Sequence, residues 1–325
     1  MDRYLIARKV IQDAVLIIFI VIILFVVLRL MPGSPATMFL HGLKNPTPAQ
    51  EARIKKELGL AGGKFSFSAF IIYLKDMFTF NFGDDYATMQ PVMSMISQAL
   101  PYTLILFATA AVLSFIIGIP LGFITAFIRK KKVEGGIISF ATTLNAVPFF
   151  VTAIVLFLYF AAYLHWFPLR AIFPISDIVH PTFASLGNVL YHLAMPLIVL
   201  VVIESMGHML TSRAAMVSVL GEDFITTARA VGVPERDIVL HHAGRNAMIP
   251  ISTRMALEFP FLMSGAVIVG IIFDLPGMGI ALYHATLSED YPFTEGALFI
   301  ISLIVILMYS MVDFIHAWMD PRIKV

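Results

Sequence analysis

Apolar positions along the chain fall into six long runs, at about 10–30, 100–128, 137–164, 192–210, 256–273 and 295–318. A helix needs roughly 20 apolar residues to cross about 30 Å of hydrocarbon, so the pattern predicts six transmembrane helices. Lys and Arg at short flanks mark the cytoplasmic side. Arg3, Arg8 and Lys9 precede the first run, Arg129-Lys-Lys-Lys132 follow the second, and Arg213, Arg229, Arg236, Arg245 and Arg254 follow the fourth. Arg322 and Lys324 lie beyond the sixth. With six spans all of these share one side, and both termini are predicted to be cytoplasmic. The interval after the first run is also basic, but long loops cross largely regardless of charge.

The polar intervals divide the chain into 1–30 (cytoplasmic N-terminus and first span), 31–98 (an external loop), 99–318 (the membrane core, with a cytoplasmic loop at 213–255) and 319–325 (a cytoplasmic tail). In the external loop, Thr47-Pro48-Ala49-Gln50 has the signature of a helix start, with a stop at Gly59. The aromatic stretch from Phe65 to Phe82 is expected to pack against the outer ends of the spans.

Between the fourth and fifth runs, Glu222-Asp-Phe-Ile-Thr-Thr-Ala-Arg-Ala-Val-Gly-Val-Pro234 predicts a helix of two or three turns. Acidic residues occupy its first turn, Phe224, Ala228 and Val231 recur at i, i+4, i+7, Gly232 offers a left-handed stop, and Pro234 opens a second helix to about Met248. Thr226, Thr227, Ala228 and Ala230 are expected to be exposed and small enough to let another backbone approach. An amphipathic connector on the membrane surface is the ordinary alternative, but such helices carry a bulky apolar face and a basic one, and this segment has only Arg229.

Composition sharpens the class. Hydrophobic residues make up 59% of the 325, charged residues 13%, and mean hydropathy is +0.89. These values exclude a soluble domain and point to an all-α integral membrane protein. The first run is too long for a secretory leader and no small-residue cleavage pattern follows, so it is expected to persist as a span. With no cysteine, disulfides and thiolate metal sites are excluded. His241 and His242 are adjacent and diverge by about 100° on a helix, so they are expected at the surface and not on a shared metal. A net charge of +1 singles out no class of partner, and no nucleic acid is expected.

Catalytic motifs are missing. Gly62-Gly63-Lys64 is the nearest approach to a phosphate loop, but Leu58 occupies the first glycine position and Phe65 the Ser/Thr position. The chain is therefore expected to hydrolyse no ATP, to have no catalytic residue, and to bind no cofactor or metal of its own. Charged groups within the spans are costly and are the default places to look for function. Glu204 and His208 stand one turn apart on the fourth run, Glu258 and Pro260 open the fifth, and Asp313 is near the inner end of the sixth. Glu204, His208 and Glu258 are candidates for lining a translocation pathway.

The segment from Glu222 to Pro250, with Ala228-Arg-Ala-Val-Gly232, Arg245-Asn246-Ala and Ile249-Pro250, resembles the cytoplasmic "EAA" loop of ABC-importer permeases, specifically the dipeptide, oligopeptide and nickel branch. Matches along most of the chain include Met31-Pro-Gly-Ser-Pro35, Phe82-Gly-Asp84, Leu100-Pro-Tyr-Thr-Leu104, Gly118-Ile-Pro-Leu-Gly122, Phe273-Asp-Leu-Pro-Gly-Met-Gly279, Asp290-Tyr-Pro292 and Asp320-Pro-Arg322. Thr226 departs from the motif, where Glu is usual. The resemblance implies a pathway shared with a second permease, two cytoplasmic ATPase subunits that bind ATP and magnesium, and an external binding protein that delivers substrate. It implies a coupling helix docking on an ATPase through Glu222, Asp223, Phe224, Ala228, Arg229, Ala230 and Gly232, with Arg245, Asn246 and Pro250 behind it. Peptides are the expected substrates, with oligosaccharides or nickel as alternatives. A stand-alone channel or ion-coupled carrier, using Glu204, Glu258 and Asp313, is the rival from another class, and an intramembrane enzyme is the third.

Overall fold

The computed structural model describes residues 3–30, 47, 67–86, 88–128 and 131–319. Among them the only β-type pairing is an isolated bridge between Asp84 and Pro91. The predicted Thr47–Gly59 helix, apart from Thr47 itself, lies outside the described residues.

The helices are α1 (Arg3–Leu30), α2 (Phe67–Phe78), α3 (Val92–Ala126), α4 (Lys131–Ala146), α5 (Phe149–Leu156), α6 (Ser176–Val179), α7 (Phe183–Leu220), α8 (Asp223–Ala230), α9 (Glu235–Asp237), α10 (Gly244–Phe273), α11 (Met278–Leu287) and α12 (Tyr291–Met319). Two π-helical stretches, Phe157–Tyr163 and Ile238–Ala243, continue α5 and α9. By length and composition four helical stretches can cross a membrane: Ala7–Val27, Val92–Ala126, Phe183–Leu220 and Tyr291–Met311. Two broken pairs, Lys132–Ala146 with Phe149–Tyr163 and Gly265–Phe273 with Met278–Leu287, raise the number to six if each is one span.

The third predicted span is therefore not one helix. Its halves meet at 97°, because Pro148 lacks an N–H to continue the ladder and disfavours helical geometry at Val147. Pro148 instead caps α5, with φ −54° and ψ 132°. The fourth helix is longer than its apolar run. It begins at a capping box, in which the Ser185 amide donates to the Thr182 hydroxyl (3.1 Å) and the Thr182 amide donates to the Ser185 hydroxyl (2.6 Å). It runs on through Arg213 to Leu220, so the loop's first residues are helical. The helix predicted from Pro234 to Met248 is not separate either, since α10 passes from Gly244 through Pro250 into the fifth run.

The chain forms two compact units. The first comprises Met1–Tyr102 and Pro276–Ser310. Its core gathers Phe25 from α1, Tyr73 and Met77 from α2, Ile96 from α3, Met278 from α11, and Phe293 and Phe299 from α12. The aromatic stretch packs locally: Phe25 meets Phe70 and Tyr73 at 5.0 and 5.3 Å between centroids, and Phe82 meets Phe299 at 6.1 Å. Gly296 leaves room for Phe82, whose ring would be 2.8 Å from an added Cβ. The Arg29 guanidinium lies 3.7 Å from the Phe25 ring centroid and 3.9 Å from Glu295, so a charge at the end of α1 is both stacked and paired.

Asp290, just before α12, accepts from the Tyr86 and Phe293 amides, each at 3.2 Å. Burial, and next a hydrogen bond to the Asp85 carboxyl, push its pKa up to about 7.

The second unit comprises Thr103–Leu275 and Met311–Val325. Its organising contact joins α3 to α7. A Cβ on Gly118 would be 2.6 Å from both the His208 Cβ and the Ser205 carbonyl, and one on Gly122 would be 1.8 Å from Ser212 Oγ and 2.5 Å from the Met209 carbonyl. The two glycines, four residues apart, open one face of α3 so that the α7 backbone can lie against it, as in small-xxx-small packing in membranes. The buried Ser212 hydroxyl reaches the Ile119 carbonyl (3.3 Å) across the seam. Arg213 pairs with Glu134 of α4, and the Ala171 amide donates to the Phe273 carbonyl (2.7 Å).

Gly122→Ala is expected to destabilise the protein by roughly 1–3 kcal/mol, since backbone must move to admit the methyl. Gly135→Ala, where nothing lies within 4 Å, is expected to be neutral or to gain up to about 1 kcal/mol; thermal unfolding of the two purified variants compares them. Asp290 gives a pH signature. Its pKa is raised from 3.8 to about 7 on folding, so the folded state holds the extra proton. That contribution is fully present below the unfolded value and is lost as pH rises through about 7. The unfolding temperature is expected to fall between about pH 4 and pH 7, and to fall less in Asp290→Asn.

Candidate functional site

Helix α8 follows α7 after a two-residue turn, and its seat is set by an apolar cluster within the second unit. Met216 of α7, Ile225 and Ala228 of α8, Ile238 and Ala243 of the π-helical stretch, and Ala247 and Ile251 of α10 form its buried centre, with Ile119 and Phe123 of α3 packed against it. Ile225 is completely buried and Ala228 only 9% exposed. This corrects the sequence reading of the helix face. Ala228 points into the chain's own core, so it is not among the small exposed residues, and the inward pair is Ile225 and Ala228. Phe224 and Val231, which recur with Ala228 at i, i+4, i+7, are 42% and 73% exposed. Phe224, Thr227 and Val231, at i, i+3, i+7, share a face, and all three are exposed.

The helix end is built as the glycine required. Gly232 has φ +84°, its amide donates to the Arg229 carbonyl at 3.0 Å, and the Val233 amide donates to the Ala228 carbonyl at 3.1 Å. These are the two bonds of a Schellman stop. Its usual apolar contact is present too, since Val233 packs on the cluster that holds Ala228. Arg229 Nε donates to Glu235 Oε1 at 2.8 Å, spanning the turn from α8 to α9. Both partners are largely exposed, so the bridge adds at most about 1 kcal/mol, but it fixes where the guanidinium sits.

Glu222, Asp223, Thr226, Arg229 and Ala230 are exposed around Phe224 and Val231, giving an apolar pair in a charged rim. Arg245, Asn246 and Pro250 are exposed on α10, and the Asn246 amide donates to the His242 carbonyl at 2.9 Å. His241 and His242 are both exposed, with His241 3.6 Å from Asp237.

Of the residues proposed for a pathway, two lie on α7 and one on α10. His208 is buried in the α3–α7 seam, its ring 4.3 Å from that of Phe115. Glu204, one turn earlier, is half-buried. Glu258 lies on α10, and its side chain is outside the described residues. Among the described residues no group of three or more His, Asp or Glu side chains could hold a metal ion. The Arg229–Glu235 bridge and the inward Ile225 had no counterpart in the sequence reading. The i, i+6 charge pair bracketing Gly232 and Pro234 was the available signal for the bridge.

The sequence matches the family described as "Binding-protein-dependent transport system inner membrane component" over residues 118–325, and the N-terminal component of the same systems over residues 1–107. The chain belongs to this family. It is a multi-pass inner-membrane permease subunit. Relatives run its full length. A probable peptide ABC transporter permease from Sinorhizobium fredii is 30% identical over 321 residues, covering 98% of each chain. A putative peptide transport system permease from Brucella abortus is equally similar over the same span. The oligopeptide transport system permease AppB of Bacillus subtilis is 28% identical over 325 residues, covering both chains completely.

In this permease, Gly232→Ala would place a Cβ in left-handed backbone at a cost of about 1–2 kcal/mol. The expected result is faster amide exchange at Gly232 and Val233, with exchange in α3 and α7 unchanged.

Proposed function

We propose that the permease forms, with a second and similar permease, the translocation pathway of an ATP-driven importer of di- or oligopeptides. An extracytoplasmic binding protein delivers the substrate, and two separate ATPase subunits supply the energy. ATP and magnesium belong to those subunits, and the permease does no covalent chemistry. Peptide is the substrate named for the full-length relatives in Sinorhizobium, Brucella and Bacillus. The proposed topology counts each broken helix pair as one span, giving six, and places both termini in the cytoplasm, because the basic flanks then share one side.

The observation that carries the reading is the exposed apolar face of α8. A short helix clamped from behind by Ile225 and Ala228, closed by Gly232, and showing Phe224 and Val231 outward has the form of an anchor for a groove on another protein. Glu222, Asp223, Arg229 and Ala230 form its rim, and Arg245, Asn246 and Pro250 stand on α10 behind it. Closure of the ATPase pair on ATP would push on α8. The load would pass through the cluster to α7 and α3, and the spans would alternate between inward- and outward-open states. Glu204, half-buried on α7, is the residue proposed to face the pathway.

Phe224→Asp changes only an exposed position. It is expected to leave the permease folded and to reduce ATPase subunits co-purified with it on the order of tenfold or more, as for an interface hot spot. Full retention of the ATPases would overturn the docking assignment. In the reconstituted complex with its binding protein, peptides are expected to stimulate ATP hydrolysis; stimulation by oligosaccharides or nickel alone would overturn the substrate assignment and leave the docking assignment standing.

A further inference from the structure

Within the first unit, the segment between α2 and α3 is fastened to the start of α12 at two points. The first is apolar, where Phe82 fills the notch left by Gly296 and meets Phe299. The second is polar. Asp85 on this segment and Asp290 just before α12 are only 5% and 2% exposed, and their carboxyl groups are hydrogen-bonded to each other. An ionised carboxylate can only accept, so this contact exists only while the pair holds a proton.

The other bonds of the two carboxyls divide between the segment and the helix. Asp85 Oδ1 accepts from the Thr88 amide and hydroxyl, both at 2.6 Å. Asp85 thus belongs to a local turn, in which its amide donates to the Gln90 carbonyl and the Met89 amide to the Asp85 carbonyl, each at 2.9 Å. Asp290 accepts on one oxygen from the Phe293 amide of its own helix start, and on the other from the Tyr86 amide across the junction. Tyr73 of α2, Tyr86 and Tyr291 lie around this junction and are uncharged phenols near neutral pH. Glu295, further along α12, adds negative charge and is met by Arg29 of α1 at 3.9 Å. Asp84, His284 and Glu289 are exposed to water. Ionising both members of the pair therefore sets two buried like charges in contact, which they relieve by separating. The titration of Asp290 near 7 is then a property of the pair.

We propose that Asp85 and Asp290 form a proton-operated latch, which docks the segment between α2 and α3 on α12 while one proton is shared and releases it when both carboxyls are ionised. Gly83 is the hinge: it has left-handed backbone at φ +77°, and nothing lies within 4 Å of an added Cβ. On release Phe82 stays seated, Asp290 keeps the Phe293 amide, and the turn around Asp85 leaves together with Tyr86. The latch works whichever side of the membrane it faces. In the six-span topology proposed above that side is external, so the pH it reads is the pH outside the cell. None of its residues lies on α8, so the latch stands or falls independently of ATPase docking.

The chain has no cysteine, so Gln90→Cys and Leu287→Cys, both at exposed positions, give two sites for spin labels, one on the turn and one on α11. The distance between them is measured in the complete complex, with reactive cysteines removed from its other subunits. The expected result is one narrow distance at about pH 6 and loss of that population at about pH 8, on either side of the titration. Asp85→Asn keeps an oxygen for Thr88 and supplies an amide that donates to Asp290 without a titrating proton. It is expected to hold the narrow distance at both pH values. A distance that does not change with pH in the parent, or a loss that persists in Asp85→Asn, would overturn the latch. The parent decides alone if that variant fails to assemble: its transition is expected to be centred near pH 7, and one centred in the ordinary carboxylate range would refute the shared proton.

Discussion

The close approach of α3 and α7 is the contact on which the second unit depends. Without side chains at Gly118 and Gly122, the α7 backbone comes near enough for the Ser212 hydroxyl to reach a carbonyl of α3. In lipid, where apolar side chains gain little by leaving one hydrocarbon surface for another, such backbone proximity is what holds helices together. The seam fixes the last turns of α7, and Met216 there becomes the floor on which Ile225 and Ala228 rest. From that floor the orientation of α8 follows. An eight-residue helix is too short to be stable by itself, so its conformation and its outward face are both set by what lies beneath it.

The functional consequence is a division of labour within two turns of helix. Ile225 and Ala228 are spent on the chain's own core, while Phe224 and Val231 stand in water. Fully burying a side chain of that size is worth about 1.5–3 kcal/mol, which is enough for a pair of such anchors to matter to an interface. The Schellman turn at Gly232 and the Arg229–Glu235 bridge fix the end of the helix against the turn that follows it.

What the sequence revealed followed the range of the interactions. Gly232 could be read directly, because a left-handed helix stop is decided by a few adjacent residues. Four of the apolar runs likewise marked helices long and apolar enough to cross a membrane, since length and hydropathy are local quantities. The rotation of α8 could not be read. Ile225, Ala228, Phe224 and Val231 are all apolar, and only the distant Met216 and Ile238 decide which pair turns inward. The bend at Pro148 was hidden by an unbroken apolar run, although the proline itself marked it. The glycine pair on α3 was visible as a spacing of four, but its partner surface on α7 lies some 90 residues away. The burial of His208 against Phe115 was not legible for a related reason, since it depends on which helix α7 meets.

If the outward face of α8 seats on a separate ATPase subunit, as proposed above, it moves with that subunit's nucleotide cycle. The most direct measurement is disulfide crosslinking from Thr227→Cys, on the same face as Phe224 and Val231, to single cysteines along the ATPase surface in the assembled complex. The expected result is efficient crosslinking to one contiguous groove, in a pattern that shifts when ATP and magnesium are added. Crosslinking that is absent, scattered, or formed instead to the second permease would contradict it.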